Sequence, residues 1–196
     1  MDALSLMRGS RFLLAPAQDS RFAQLKVHAG VLRLSTSPHQ PLADITVALA
    51  GAGQPELLRL DPFRTYVLEA ITTSEFSLVY ASTAACQEEL STTWLINFGE
   101  IRHHLGSDQR INQLLKHLAN QFGSPVSEGT SIPFSLPHSR LAEIIGSTRS
   151  TVTRHLVRLK ERGLLLDHSN HSGLIATTKF LSMVQHAISQ PGTDCP

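Results

Sequence analysis

Apolar positions along this chain follow two different spacings, and the change from one to the other divides it. From Gln24 to about Ala81 short runs of strand type alternate with turn residues. Leu25-Lys-Val-His-Ala-Gly-Val-Leu-Arg-Leu34 predicts two strands around Gly30. Asp44-Ile-Thr-Val-Ala-Leu-Ala50 alternates in part, and Gly51-Ala-Gly-Gln-Pro55 ends it. Thr65-Tyr-Val-Leu-Glu-Ala70 and Glu75-Phe-Ser-Leu-Val-Tyr80 predict two further strands joined through Thr72-Thr-Ser74. Several short strands with glycine and proline turns suggest a small antiparallel roll or barrel.

From Ala84 to Leu105 the spacing becomes helical: Leu90, Trp94, Leu95, Phe98, Ile101 and Leu105 recur at steps of three and four. That stripe either packs on the roll or pairs with a second copy. Asp108 to Phe122 predicts another amphipathic helix with Ile111, Leu114, Leu115, Leu118 and Phe122 inward. Gly123 to Pro137 is extended and turn-rich, because Pro125, Pro133 and Pro137 forbid one continuous helix.

The stretch from Leu141 to Gly163 carries the clearest pattern. Leu141, Ile145, Val152, Leu156 and Leu159 give two helices one buried face each, with Gly146 at the turn. Gly146 suits a sharp bend, and Gly163 stands where a left-handed residue ends a helix. Ser147 or Thr148 can cap the second helix. Arg149, Ser150, Thr151, Thr153 and Arg154 then fall on its first turns, the part of a recognition helix that reaches base edges. Beyond Gly163, Leu164-Leu-Leu-Asp167 and Gly173-Leu-Ile-Ala-Thr-Thr178 flank a polar turn and predict a β-hairpin. Lys179 to Ser189 predicts a short helix, and residues 191–196 a loose tail.

The net charge of +1 argues against nucleic acid until its distribution is considered. Residues 1–107 hold eight Lys/Arg against ten Asp/Glu, whereas 108–196 hold nine against six. Between 138 and 162 there are six basic residues and two acidic ones. A basic face confined to one region is the footprint expected for phosphate contacts. The apolar share of 41% and charged share of 17% suit a globular chain. No apolar run approaches the roughly 20 residues that span a bilayer, and no secretory leader is evident. A soluble, cytoplasmic protein with Cys86 and Cys195 reduced is the expectation.

Gly146-Ser-Thr-Arg-Ser-Thr-Val-Thr-Arg154, with Leu141-Ala-Glu-Ile-Ile ahead and Arg-Leu-Lys-Glu-Arg-Gly-Leu-Leu behind, resembles the DNA-binding domain of the Crp/Fnr regulators. It is most similar to their cyanobacterial nitrogen-regulator branch. The resemblance runs from about Ser107 to Phe180. It implies an α+β chain in four parts: an antiparallel, cyclic-nucleotide-binding-like β-roll (1–83), a dimerisation helix (84–106), a winged helix-turn-helix (107–190) and a tail (191–196). Val31-Leu-Arg-Leu34 loosely resembles the core of that family's roll. By resemblance the chain is a homodimeric transcription regulator of activator type that binds double-stranded DNA, with RNA polymerase as a further partner and no enzyme activity. The contrasting expectation is a degenerate relative that serves as a protein-interaction module without small-molecule sensing.

The expected DNA contacts follow from side-chain chemistry. Arg149 and Arg154 each present a planar fork that fits O6 and N7 of guanine, and the family places arginines at these two positions on base edges. Thr151 and Thr153 suit phosphate or a thymine methyl. Ser150 departs from the glutamate of the catabolite activators and is too short to replace its contact with cytosine. His138, Arg140, Ser147, Thr148 and Arg158 complete the expected set as backbone contacts. Pro137 stands where the family has a hydroxyl cap, and its fixed φ suits the first helical turn.

The ten histidines are expected to be solvated, since His103-His104 and His168-x-x-His171 lack a partner set at zinc spacing. No nucleophile elbow, phosphate loop or metalloprotease run occurs. Gly53-Gln-Pro-Glu-Leu-Leu-Arg-Leu-Asp-Pro-Phe-Arg64 has Glu56, Arg59 and Arg64 but not the spacing of the family's cyclic-nucleotide loop, which argues against cyclic AMP. The nitrogen-regulator branch responds to 2-oxoglutarate, a dianion that Arg59 or Arg64 suits. The effector itself stays open.

Overall fold

The computed structural model describes residues 3–14, 21–37, 44–53, 55–61, 63–81, 89–168 and 173–186. The chain forms two compact units, Met1–Gly99 and Glu100–Pro196.

The first unit is built of eight strands: β1 (Leu4–Leu6), β2 (Arg11–Leu14), β3 (Phe22–Ala29), β4 (Val31–Ser37), β5 (Ile45–Gly51), β6 (Glu56–Arg59), β7 (Thr65–Ala70) and β8 (Ser74–Ala81). They pair antiparallel in two four-stranded sheets, ordered β1-β8-β3-β6 and β2-β7-β4-β5. Leu25, Leu32, Leu58, Leu68 and Phe76, all fully buried, form the core between them. Gly30 alone joins β3 of one sheet to β4 of the other, at φ +81. A Cβ there would run into the backbone of Thr73 and Ser74, so this corner excludes every other residue. The strands expected from Leu25 to Tyr80 are all present; β1, β2 and β6, too short for a visible alternation, complete the sheets.

Leu32 and Leu34 face the core, while Arg33 between them is also wholly buried. Its Nη1 donates to Glu69 Oε2 at 2.8 Å and its Nε to Thr46 Oγ1 at 2.8 Å. A buried guanidinium is tolerated only with such partners.

The helix α1 (Leu90–His103) begins later and ends earlier than its pattern suggests. Residues 84–88 lie outside the described residues, and Leu105 falls beyond the helix, almost wholly exposed. The apolar stripe also splits. Leu90, Trp94, Phe98 and Ile101 are buried, with the Trp94 and Phe98 rings 5.3 Å apart, while Leu95 and Ile96 stay exposed. At 100° per residue, Ile96 lies on the side of the helix opposite Trp94 and Phe98, while Leu95 falls at the edge of their band.

The second unit starts with the end of α1 and continues through α2 (Ser107–Phe122), β9 (Ser124–Val126), β10 (Gly129–Ile132), α3 (His138–Ile145), α4 (Arg149–Glu161), β11 (Leu165–Asp167), β12 (Leu174–Thr177) and α5 (Thr178–His186). The inward residues of α2, α3 and α4 match the expected faces, and Ile111, Leu114, Ile144, Ile145, Val152 and Leu159 are buried. The sheet is ordered β11-β12-β10-β9, so the extended stretch before α3 supplies two strands and the hairpin the other two. Residues 169–172 of the hairpin turn, and 187–196 with the expected tail, are outside the described residues. No helix among the described residues is long and apolar enough to cross a membrane.

Candidate nucleic-acid interface

The bend between α3 and α4 is set by Gly146, which caps α3 in the left-handed region (φ 65, ψ 50) and returns its N–H to the Ala142 and Glu143 carbonyls. Gly163 ends α4 with φ 64. Thr148 is the N-cap of α4: its Oγ1 accepts from Thr151 N at 3.2 Å, and the Ser150 and Thr151 hydroxyls lie 2.9 Å from it. Ser147 does not cap; it donates to Ser107 on α2 at 3.3 Å. Pro137 stands in the N-cap place of α3, where it makes no side-chain bond.

Two arginines that no sequence pattern singled out hold this bend. Arg102 donates from Nε to Ile144 O at 2.6 Å and from Nη2 to Glu143 O at 2.8 Å. Arg110 donates from Nε to His104 O at 2.7 Å and from Nη1 to Ile145 O at 3.3 Å. Both guanidinium groups therefore meet the free carbonyls at the C-terminus of α3, where cations also offset the helix dipole.

A second set fixes α4 against α2. Asp108, in the first turn of α2, pairs with Arg158 at 3.1 Å and lies 3.0 Å from His155 Nδ1, while Asn112 one turn on meets His155 Nε2 at 2.8 Å. His155 is buried, contrary to the expectation that the histidines are solvated. Burial pushes its pKa down; Asp108 opposes this and Arg158 adds to it. Its contact with Asp108 is an ion-pair approach without the alignment of a hydrogen bond.

The expected contact residues thus separate by what already occupies them. Arg158 is drawn to Asp108 and Lys160 to Asp167, at 2.6 Å. Thr153 donates to Arg149 O at 2.9 Å and meets His138 Nδ1 at 2.8 Å. Arg140 is half-exposed on the first turn of α3. Arg149 and Arg154 are exposed, and neither side chain makes a hydrogen bond or ion pair among the described residues. Two unengaged forks one helical turn and a half apart leave a basic, hydrogen-bond-donating face on the start of α4, which suits an anionic polymer with guanine edges.

Residues 109–178 match the Crp-like helix-turn-helix domain. The global nitrogen regulators of Nostoc sp. and Synechococcus elongatus are 40% and 42% identical to this chain over 65 residues, 33% of this chain and 29% of each relative. The chain thus spans under a third of the length of the curated relatives it matches. Two transcriptional regulators from Thermus thermophilus share the fold at 17% and 16% identity, with TM-scores of 0.64 and 0.67. The alignments cover 97% and 95% of this chain and 100% and 97% of theirs. The chain therefore carries a Crp-like helix-turn-helix domain at residues 109–178 and has the fold of the CRP/FNR-family proteins.

Proposed function

We propose that this chain is a homodimeric transcription regulator that reads a palindromic duplex site through the recognition helix 148–162. The observation that carries the reading is the pair Arg149 and Arg154, exposed and with side chains that have no hydrogen-bond or ion-pair partner among the described residues. Ser150 between them is too short for the cytosine contact a glutamate makes, so each half-site should resemble GTA and its complement, with guanine read by an arginine fork. The surface offered to a second copy is the exposed pair Leu95 and Ile96 on α1; Phe98 is buried in its own chain and is withdrawn from that role. RNA polymerase is the further partner that activation would need, and the cytoplasm is where such a chain would act.

The first unit offers a cavity of about 450 Å³ lined in part by Thr36, Tyr66, Arg59, Arg64 and Ser91. Arg59 is exposed with no ion pair among the described residues, whereas Arg64 lies 3.6 Å from Asp61. Asp61 and Glu89 also line it, so Arg59 is the cation left for a small carboxylate such as 2-oxoglutarate, the effector that the resemblance to the nitrogen regulators implies.

Two recognition helices related by a two-fold axis enter successive major grooves roughly 34 Å apart. Inserting about five base pairs between the halves of a selected site turns one half to the far side of the duplex. Tight binding is expected to disappear in a mobility-shift titration. Undiminished binding to the lengthened site would mean that one half-site is read alone.

A further inference from the structure

The hydroxyl of Thr153 carries one proton, and its position is fixed. The Arg149 carbonyl, 2.9 Å away, can only accept, so the hydroxyl donates there. The 2.8 Å contact between Thr153 Oγ1 and His138 Nδ1 must then be donated by the ring. A neutral imidazole with its proton on Nδ1 has a bare lone pair on Nε2. That nitrogen has no hydrogen bond among the described residues. His138 opens α3, half-exposed, beside the face that carries Arg149.

On the reading of this surface as a DNA interface, we propose that His138 is a proton-linked phosphate contact: binding of duplex DNA takes up one proton at its Nε2. In the neutral tautomer that Thr153 selects, Nε2 presents a lone pair to the phosphate oxygens, acceptor against acceptor, and repels them. With a second proton the same atom becomes a cationic N–H donor and makes a charge-assisted bond. Among the described residues, no group acting on the ring supplies that proton's counter-charge. The groups that act on the ring are Arg149 and Lys160 of α4, both cationic, with Lys160 itself tied to Asp167 of β11; no carboxylate is among them. On its own helix the charged residues are Arg140 and Glu143. Partial burial, then Arg149, then Lys160 hold the pKa below the ordinary 6.5, so the free ring is neutral near pH 7. A phosphate reverses the sign of that local field.

The bound ring has the higher pKa, so affinity rises as pH falls from the bound value to the free value and levels off below it. Phosphate contact is independent of sequence, so a random-sequence fluorescent duplex serves as the probe. The full chain is titrated by anisotropy between pH 6 and 8 at several salt concentrations. The expected result, for each ring that engages a phosphate, is an affinity gain approaching tenfold per pH unit at its steepest, with the log–log salt slope about 0.9 steeper at the low-pH end. H138Q should lose both effects while its circular dichroism is unchanged. T153V keeps the ring but frees its tautomer, so the neutral form can place its proton on Nε2 and the pH dependence should shrink. Nitrogen-15 histidine spectra of the chain without DNA should show His138 protonated at Nδ1 and bare at Nε2, the resonance being assigned by its loss in H138Q. Equal pH dependence in H138Q and the unmutated chain, or an Nε2–H tautomer, overturns the proposal. A chain that binds no duplex at any pH overturns the regulatory reading and this proposal with it; the tautomer, read without DNA, separates the two failures.

Discussion

Arg33 in the roll and Arg149 on the recognition helix are the same residue type in opposite circumstances. Arg33 is wholly buried, and its fork is filled by Glu69 and Thr46. Arg149 is exposed, and its side chain makes no bond among the described residues. The first arginine is consumed by its own fold; the second is left for something outside it. Arg102, Arg110 and Arg158 fall with Arg33, because each donates to a carbonyl or carboxylate of its own unit. A basic composition does not separate these classes. Occupancy of the donors does.

The largest effect that could break this contrast lies in the roll. Glu69→Ala leaves Arg33 buried without its carboxylate and is expected to cost about 3 kcal/mol in chemical denaturation. The double change Arg33→Met with Glu69→Leu should recover most of that loss, since an apolar pair needs no compensation. If Glu69→Ala is neutral, Arg33 is not held by this pair. Next comes the bend: Arg102→Ala removes two donors to α3 carbonyls and should cost about 2 kcal/mol of stability in the second unit. Its effect on DNA affinity should be the same for every sequence, because Arg102 shapes the bend and touches no base. A change in base preference would move it into the class of Arg149.

The smallest effect concerns pH. His155 has a folded pKa lowered chiefly by burial, so the unfolded chain binds the proton first as pH drops. The contribution of the neutral ring is present above about 6.5, the ordinary histidine value, and is lost as pH falls through the lower folded value. Melting temperatures measured from pH 7.5 down to 5 should fall over that window, and His155→Asn should flatten the curve. An unchanged slope in that variant would place the effect on other groups.

How much of this was legible in the sequence depended on how local the cause is. The helix-turn-helix was readable because Gly146, the cap and the apolar spacing act within a turn or two of themselves. The strands with clear alternation were readable for the same reason. β1 and β6 were not, because three or four residues carry no period and depend on β8 and β3 for their bonds. The apolar stripe of α1 was over-read: positions spaced three and four apart define a broad band, and only the packed fold divides Leu95 from Trp94. In the candidate site, Arg149 and Arg154 stand out from their place on the first turns of α4, and their side chains are unengaged among the described residues, whereas Arg158, expected at the DNA backbone, pairs with Asp108. The pairing of Arg158 with Asp108 joins residues 50 positions apart, and no spacing rule reveals it. The props Arg102 and Arg110 escaped for the same reason, since their acceptors are backbone carbonyls about 40 residues away.

Whether Arg149 and Arg154 read bases is decided most directly by paired affinity measurements. The unmutated chain, Arg149→Ala and Arg154→Ala are titrated against a duplex selected by the protein from a random pool and against a scrambled duplex of equal length. Each substitution should weaken binding to the selected duplex by about 1–3 kcal/mol and relax preference at one base position. Binding to the scrambled duplex should change much less. Equal loss on both duplexes would contradict base readout, because it would mean that the two arginines touch only phosphate.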